Sequence, residues 1–123
     1  MIILICGQPR AGKTTYSKNF TCKVIHLDEC HRYTIVNEKV KEVGFNDVVV
    51  EGVYQRPVDR QKLLEAYEGN KSRCIWIDTP LEIRSQRENF FSWSNVRFKP
   101  PTYDEGWDEI VRITPQETII LKS

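Results

Sequence analysis

The chain has 123 residues, of which 40% are hydrophobic and 28% charged, and its formal net charge is +1 at pH 7. That length predicts a single domain over residues 1–123, and the composition argues against a disordered or fibrous protein. The near-neutral charge argues against a protein that binds nucleic acid by charge alone. No apolar run approaches the roughly 20 residues of a membrane span, so no membrane partner is expected.

Five short apolar runs predict β-strands, and the stretches between them predict helices. Residues 2–6 (IILIC) are apolar on both faces, which is typical of a central parallel strand. The other predicted strands are residues 24–27, 47–50, 73–77 and 109–113, with residues 118–121 as a candidate sixth strand at an edge. The predicted helices span residues 14–20, 29–43, 58–67 and 80–88, the last one capped by Thr79, and residues 89–106 are expected to be irregular. This alternation predicts an α/β fold with a parallel sheet, in which ligands bind at the carboxyl ends of the strands.

The four cysteines are expected to be reduced thiols, because no CxxC pair occurs and the first residues read as a core strand rather than a signal peptide. Both features favour a cytoplasmic location. Cys22, His26, Cys30 and His31 are close in sequence. Their spacing lacks the tighter pairs of zinc sites, so no zinc is expected.

The residues after the first strand form a phosphate-binding motif. The sequence GQPRAGKT has the P-loop pattern G-x-x-x-x-G-K-T and lies between an apolar strand and a helix. Its glycines let successive backbone N–H groups face phosphate oxygens, and the helix points its positive end at them. We expect Lys13 to reach the β and γ phosphates of a nucleoside triphosphate and the Thr14 hydroxyl to bind Mg²⁺. The expected ATP-binding residues are Gly7, Gln8, Pro9, Arg10, Ala11, Gly12, Lys13, Thr14 and Thr15.

An acidic residue follows each of the next three strands: Asp28, Glu51 and Asp78. All three are expected at the ligand edge of the sheet. Capping and packing are sufficient to explain Asp78. Glu51 suits a carboxylate that holds Mg²⁺ through water, and Asp28 is free to accept a proton from a substrate hydroxyl.

Two arginines, Arg84 and Arg87, lie three residues apart on one face of the last predicted helix. A solvated basic face explains this spacing as well as a functional site does. Phosphoryl transfer gives a chemical reason for the pair, because arginines stabilise charge on the moving phosphoryl group.

Taken in order, these motifs resemble those of the P-loop kinases. Residues 51–60 (EGVYQRPVDR) and 78–89 (DTPLEIRSQREN) look like their segment after the third strand and their lid helix. Residues 98–110 (FKPPTYDEGWDEI) are similar to the F-x-x-P-x-x-x-E-G-F-x-x-I ending of polynucleotide 5′-hydroxyl kinases, including the kinase half of the polynucleotide kinase–phosphatases.

The resemblance implies a P-loop fold with a parallel five-stranded sheet in the order 2-3-1-4-5, flanked by helices. It also implies that Lys13 and Thr14 hold ATP and Mg²⁺, that Asp28 is the general base and that Arg84 or Arg87 is the lid arginine. In bacteriophage-type relatives an arginine follows the base by three residues. Here His31 holds that place, and Arg32, one residue further on, is the candidate for the acceptor phosphate.

The leading functional hypothesis is an ATP- and Mg²⁺-dependent kinase that phosphorylates the 5′-hydroxyl of a polynucleotide. The chain is short for such a kinase, which favours a small acceptor or a single-stranded RNA or DNA end, and Phe90, Phe91, Trp93 and Phe98 are candidates for stacking on bases or for packing the core. The alternatives are a small-metabolite, nucleoside or nucleotide kinase and a non-catalytic ATP-binding module.

Overall fold

Six strands form one sheet in the computed structural model, which describes the backbone of all 123 residues and every side chain except that of Ser92. The strands are β1 (Ile2–Cys6), β2 (Lys23–His26), β3 (Val48–Glu51), β4 (Ser72–Ile77), β5 (Glu109–Ile113) and β6 (Thr118–Lys122). Their order is β2-β3-β1-β4-β5-β6; the first five are parallel, and β6 runs antiparallel to β5. The predicted order 2-3-1-4-5 and the extra edge strand are therefore confirmed.

The helices flank this sheet and are short. They are α1 (Lys13–Ser17), α2 (Leu27–Cys30), α3 (Tyr33–Val43), α4 (Pro57–Ala66) and α5 (Leu81–Arg84), with 3₁₀ turns at Ser92–Ser94 and Tyr103–Glu105. The longest, α3, has 11 residues. None of the helices in the described part of the chain combines the length and apolar character needed to cross a membrane.

Three helix predictions were wrong in their bounds. The helix predicted over residues 14–20 spans Lys13–Ser17. The helix predicted over residues 29–43 is two helices, because His31 adopts a left-handed backbone (φ 68°) that ends α2. The last helix ends at Arg84, and its N-cap is Pro80 rather than Thr79. The Thr79 hydroxyl instead donates a hydrogen bond to the carbonyl of Ala11 (2.7 Å), so a long-range contact replaces the local cap.

Apolar side chains fill both faces of the sheet, and β1 supplies them to each face alternately. Ile2 and Leu4 pack on one side with residues of α3 and α4, whereas Ile3 and Ile5 pack on the other side near α1. Each fully buried side chain of this size contributes about 1.5–3 kcal/mol relative to an exposed one. Cys22 packs against the second cluster and Cys30 belongs to the first, so these two thiols lie on opposite faces.

A buried ion pair joins α4 to the segment before β5. Nε and Nη2 of Arg60 each donate to one carboxylate oxygen of Glu105 at 2.8 Å, and the arginine is fully buried. Its Nη1 also donates to the carbonyls of Tyr54 (2.7 Å) and Lys99 (2.8 Å). Burial alone would lower the pKa of Arg60, but the hydrogen bonds and charge of Glu105 raise it overall. The pair fixes residues 99–105 against α4.

We expect Glu105→Gln to lower the free energy of unfolding by about 3–5 kcal/mol, because it leaves the Arg60 charge buried without its counter-ion. The half-exposed pair Arg73–Glu109 provides a matched control. Glu109→Gln should cost at most about 1 kcal/mol, since water screens that pair. Urea unfolding of both variants measures the difference, and equal losses would show that the buried pair has no special role.

Candidate active site

The loop between β1 and α1 requires glycine at two positions. Gly7 has φ 150°, and a Cβ added there would lie 2.4 Å from the carbonyl oxygen of Ile77 on β4. Gly12 has φ 104°, a left-handed conformation that disfavours any larger residue. The loop is therefore held tightly over the end of β4 and turns directly into α1.

Lys13 begins α1 and is 8% exposed. Its Nζ donates a hydrogen bond to the carbonyl oxygen of Gln8, within the same loop, at 2.8 Å. Burial lowers the pKa of this ammonium group, although the nearby Glu51 carboxylate opposes the shift. An anion beside Nζ would compensate the loss of hydration, so the position suits a phosphate group.

Thr14 and Glu51, the two residues predicted to bind Mg²⁺, are in direct contact. The Thr14 hydroxyl donates to Oε1 of Glu51, which is the last residue of β3 and is buried. Nδ1 of His26 lies 3.6 Å from the same oxygen. A hydroxyl and a carboxylate fit Mg²⁺, which usually takes one or two carboxylates and fills its other positions with water and phosphate. Among the described residues, no group of three or more His, Cys, Asp or Glu is arranged to hold a metal by itself.

A cavity of about 590 Å³ opens beside these side chains. Its walls come from the loop and the start of α1, from the residues that follow β2 and β3, and from the irregular chain after α5. Asp28, an exposed residue of α2, lines it together with Lys13, Thr14 and Glu51. The carboxyl ends of β1, β2 and β3 thus bring four of the predicted site residues to one cavity.

The nine residues predicted to bind ATP divide into two groups. The residues that line the cavity are Pro9, Arg10, Gly12, Lys13, Thr14 and Thr15. The other three are engaged elsewhere: Gly7 rests against β4, Ala11 is part of the core, and the Gln8 side chain bonds to Val96. The first group is placed to meet a ligand, and the second group shapes the loop.

The structure separates the two arginines that the sequence placed on one face. Arg87 is exposed, lines the cavity and donates to the carbonyl oxygen of Arg10. Arg84 is 4% exposed and donates to the carbonyls of Thr79 (2.9 Å) and Pro9 (3.3 Å) and to Oδ1 of Asn95 (3.0 Å). Burial lowers the pKa of the Arg84 guanidinium. The alternative of a shared solvated face therefore does not hold for Arg84, which holds the loop backbone instead.

Two further predicted residues lie away from the cavity walls. Arg32 is exposed at the N-cap of α3 and is not part of the lining, so a role with an acceptor phosphate stays a prediction. Asp78 accepts hydrogen bonds from Nε (2.8 Å) and Nη2 (2.6 Å) of Arg112 on β5. Asp78 therefore forms an ion pair with the neighbouring strand and does not cap α5 through its side chain.

Sequence reasoning missed the anchoring of residues 93–96 over the loop. Nε2 of Gln8 donates to the Val96 carbonyl (2.6 Å), and the Val96 N–H donates to Oε1 of Gln8 (3.1 Å). Together with the Arg84–Asn95 bond, this places Trp93 and Ser94 in the cavity wall. No periodic pattern marks this segment; its cluster of aromatic residues was the available signal.

The fold is similar to that of a sugar kinase from Janibacter sp. HTCC2649, whose structure is unliganded. The two superpose with a TM-score of 0.69 and 12% sequence identity, over 94% of this chain and 86% of that one. No protein-family model matches the sequence, and no curated protein matches it either. The chain therefore has a kinase-like α/β fold, with a mostly parallel sheet flanked by helices.

Proposed function

We propose that residues 1–123 form a single P-loop kinase-like domain that transfers the γ-phosphoryl group of ATP to a hydroxyl acceptor. The observation that carries this proposal is the convergence of Lys13, Thr14, Glu51, Asp28 and Arg87 on one cavity. This set supplies a cation for phosphate, oxygen ligands for Mg²⁺, a carboxylate base and an exposed cationic side chain. Those are the parts that phosphoryl transfer requires.

Catalysis in this arrangement is positioning and charge stabilisation rather than covalent chemistry. The loop holds the phosphates, and the Lys13 ammonium neutralises charge on the β and γ oxygens. Bound at Thr14 and Glu51, Mg²⁺ would stabilise the developing negative charge on the phosphates. Asp28 accepts the proton of the acceptor hydroxyl, and Arg87, which lies against the loop at Arg10, stabilises charge on the transferred phosphoryl group.

The favoured acceptor is the 5′-hydroxyl of a single-stranded RNA or DNA end, supported by the resemblance of residues 98–110 to polynucleotide kinases. In that segment, however, Glu105 and Trp107 are buried and Glu105 pairs with Arg60, so these two residues support a shared fold more than a shared acceptor. The likeness to a sugar kinase favours a second candidate, phosphorylation of a small metabolite. A module that binds ATP without turnover is the third.

Incubation with labelled ATP, Mg²⁺ and a panel of acceptors tests the proposal. The panel includes 5′-hydroxyl oligonucleotides, nucleosides and free sugars, and the Lys13→Ala protein sets the background. We expect label to appear on one class of acceptor, which then identifies the substrate. ATP binding without transfer to any acceptor would leave the non-catalytic module as the function.

We expect Asp28→Asn to retain ATP binding and to slow transfer by about 10²- to 10⁴-fold, the usual range for a general base. Asparagine keeps the size and polarity of the side chain but cannot take the proton. Asp28 is exposed and α2 does not depend on it for a side-chain cap, so the fold should be unaffected. Single-turnover transfer and nucleotide titration measure the two effects separately.

Glu51→Gln provides the contrast, because its carboxylate is assigned to Mg²⁺. This variant should weaken nucleotide affinity in the presence of Mg²⁺ and change affinity little in its absence. If Asp28→Asn transfers at the unaltered rate while Glu51→Gln does not, Glu51 is the base and the two roles are exchanged.

A further inference from the structure

Two aromatic rings lie exposed and stacked on each other at the rim of the cavity. Phe91 is 50% exposed and Trp93 is 73% exposed, and their ring centroids are 5.3 Å apart with an interplanar angle of 10°. Large aromatic side chains usually bury most of their surface. A parallel pair left open to solvent provides a flat apolar surface that a ligand ring can cover.

The backbone around this pair is fixed. The Ser94 N–H donates to the carbonyl of Phe91 (2.8 Å), and the Phe91 N–H donates to the Ser94 hydroxyl (3.1 Å). The Ser94 side chain is buried, and the next two residues are bonded to Arg84 and Gln8. The two rings are therefore held at a set place relative to the loop between β1 and α1.

Trp93 belongs to the same cavity wall as Ser94 and faces the cavity that contains Lys13, Thr14 and Asp28. One cavity thus combines a site for phosphate and a flat aromatic surface. A ligand that satisfies both carries phosphate or a reacting hydroxyl at one end and an aromatic ring at the other. Nucleotides have this form, and the cavity volume of about 590 Å³ is within the range of small-molecule sites.

We propose that Trp93, backed by Phe91, stacks on a nucleobase. The base belongs either to the phosphate donor or to a nucleotide acceptor. This inference rests on the proposed function, since it places the phosphate or hydroxyl end of the same ligand at Lys13 and Asp28. Stacking on an aromatic side chain accepts any base, so the site selects for nucleotides without selecting their sequence.

The test compares the full chain with Trp93→Ala and Trp93→Phe by titration calorimetry in the presence of Mg²⁺. The ligands are ATP, inorganic tripolyphosphate, a 5′-hydroxyl oligonucleotide, and the same oligonucleotide with an abasic first residue. Phe45→Ala is the matched control: Phe45 is 75% exposed and precedes the amino end of β3, whereas the cavity lies at the carboxyl ends of the strands. Its removal should change none of the affinities.

Trp93→Ala should lower the affinity for one base-containing ligand by about 10-fold or more, and Trp93→Phe should retain most of the original affinity. Tripolyphosphate affinity should stay unchanged. A loss of affinity for ATP alone assigns the base to the phosphate donor. A loss confined to the oligonucleotide, and missing for its abasic form, assigns the base to the acceptor.

The inference is wrong if Trp93→Ala binds every ligand as the unaltered protein does. It is also wrong if the affinity for tripolyphosphate falls as much as that for the base-containing ligand, because Trp93 would then only support the cavity wall. Trp93-dependent binding of ATP or oligonucleotide without any phosphoryl transfer would contradict the kinase proposal alone. A protein that binds none of the four ligands would overturn both.

Discussion

Replacing Lys13 with alanine should abolish phosphoryl transfer and leave the fold intact. The ammonium group is nearly buried and donates a hydrogen bond to a carbonyl of its own loop, so its charge has no role in joining separate parts of the fold and is free to bind an anion. Removing a buried charge that has lost its hydration does not cost the protein stability. The loop backbone stays in place, so ATP should still bind more weakly, and the main loss should be in turnover.

Lys18 provides the matched control for this prediction, because it is an exposed lysine at the end of the same helix. Lys18→Ala should retain full activity. Circular dichroism checks the fold of each variant, and single-turnover assays with labelled ATP measure transfer. Normal transfer by Lys13→Ala would refute the assignment of the loop as the catalytic phosphate site.

Replacing Arg87 with alanine should lower the rate of transfer by about 10³-fold or more, the effect of an arginine that stabilises the transferred phosphoryl group. Arg87 is exposed and lines the cavity, so the free energy of unfolding should change little. Comparing the transfer rates of the variant and the unaltered protein at saturating ATP separates this effect from a change in nucleotide affinity.

Arg84→Ala should behave differently, because that side chain is buried and bonded to three groups. Leaving those acceptors without donors should cost about 1–3 kcal/mol of stability. Because one of the acceptors is Pro9, nucleotide affinity should fall as well. Thermal unfolding and nucleotide titration distinguish the two variants. If neither variant alters transfer, neither arginine acts in catalysis and the lid assignment fails.

The sequence predicted the strands well because each is an apolar run between polar turns. The order of the parallel strands was also predicted correctly, since it followed from the family resemblance. Helix bounds were less accurate: nothing local in the sequence shows that His31 adopts a left-handed backbone or that Thr79 bonds to Ala11. Such features depend on contacts that form only in the folded chain.

The candidate site likewise combines residues that the sequence predicted with contacts that it did not. Lys13, Thr14, Glu51 and Asp28 were identifiable because parallel strands bring the residues after them to one edge. The bonds of Gln8 to Val96 join positions 88 residues apart, and the Arg60–Glu105 pair joins positions 45 apart. Neither pair produces a periodic pattern, so a single sequence carries no sign of them.

The central position of β1 determines when the loop between β1 and α1 can form during synthesis. β1 is made before the other five strands of the sheet, but its sheet neighbours are β3 and β4. Gly7 has no surface to rest on before Ile77 emerges, and Gln8 has no partner before Val96 emerges. A nascent chain that ends before Val96 therefore lacks the contacts that hold the loop in place. A ligand of this loop would bind only after Val96 has been made, and it would then stabilise the chain with these contacts formed rather than an earlier intermediate.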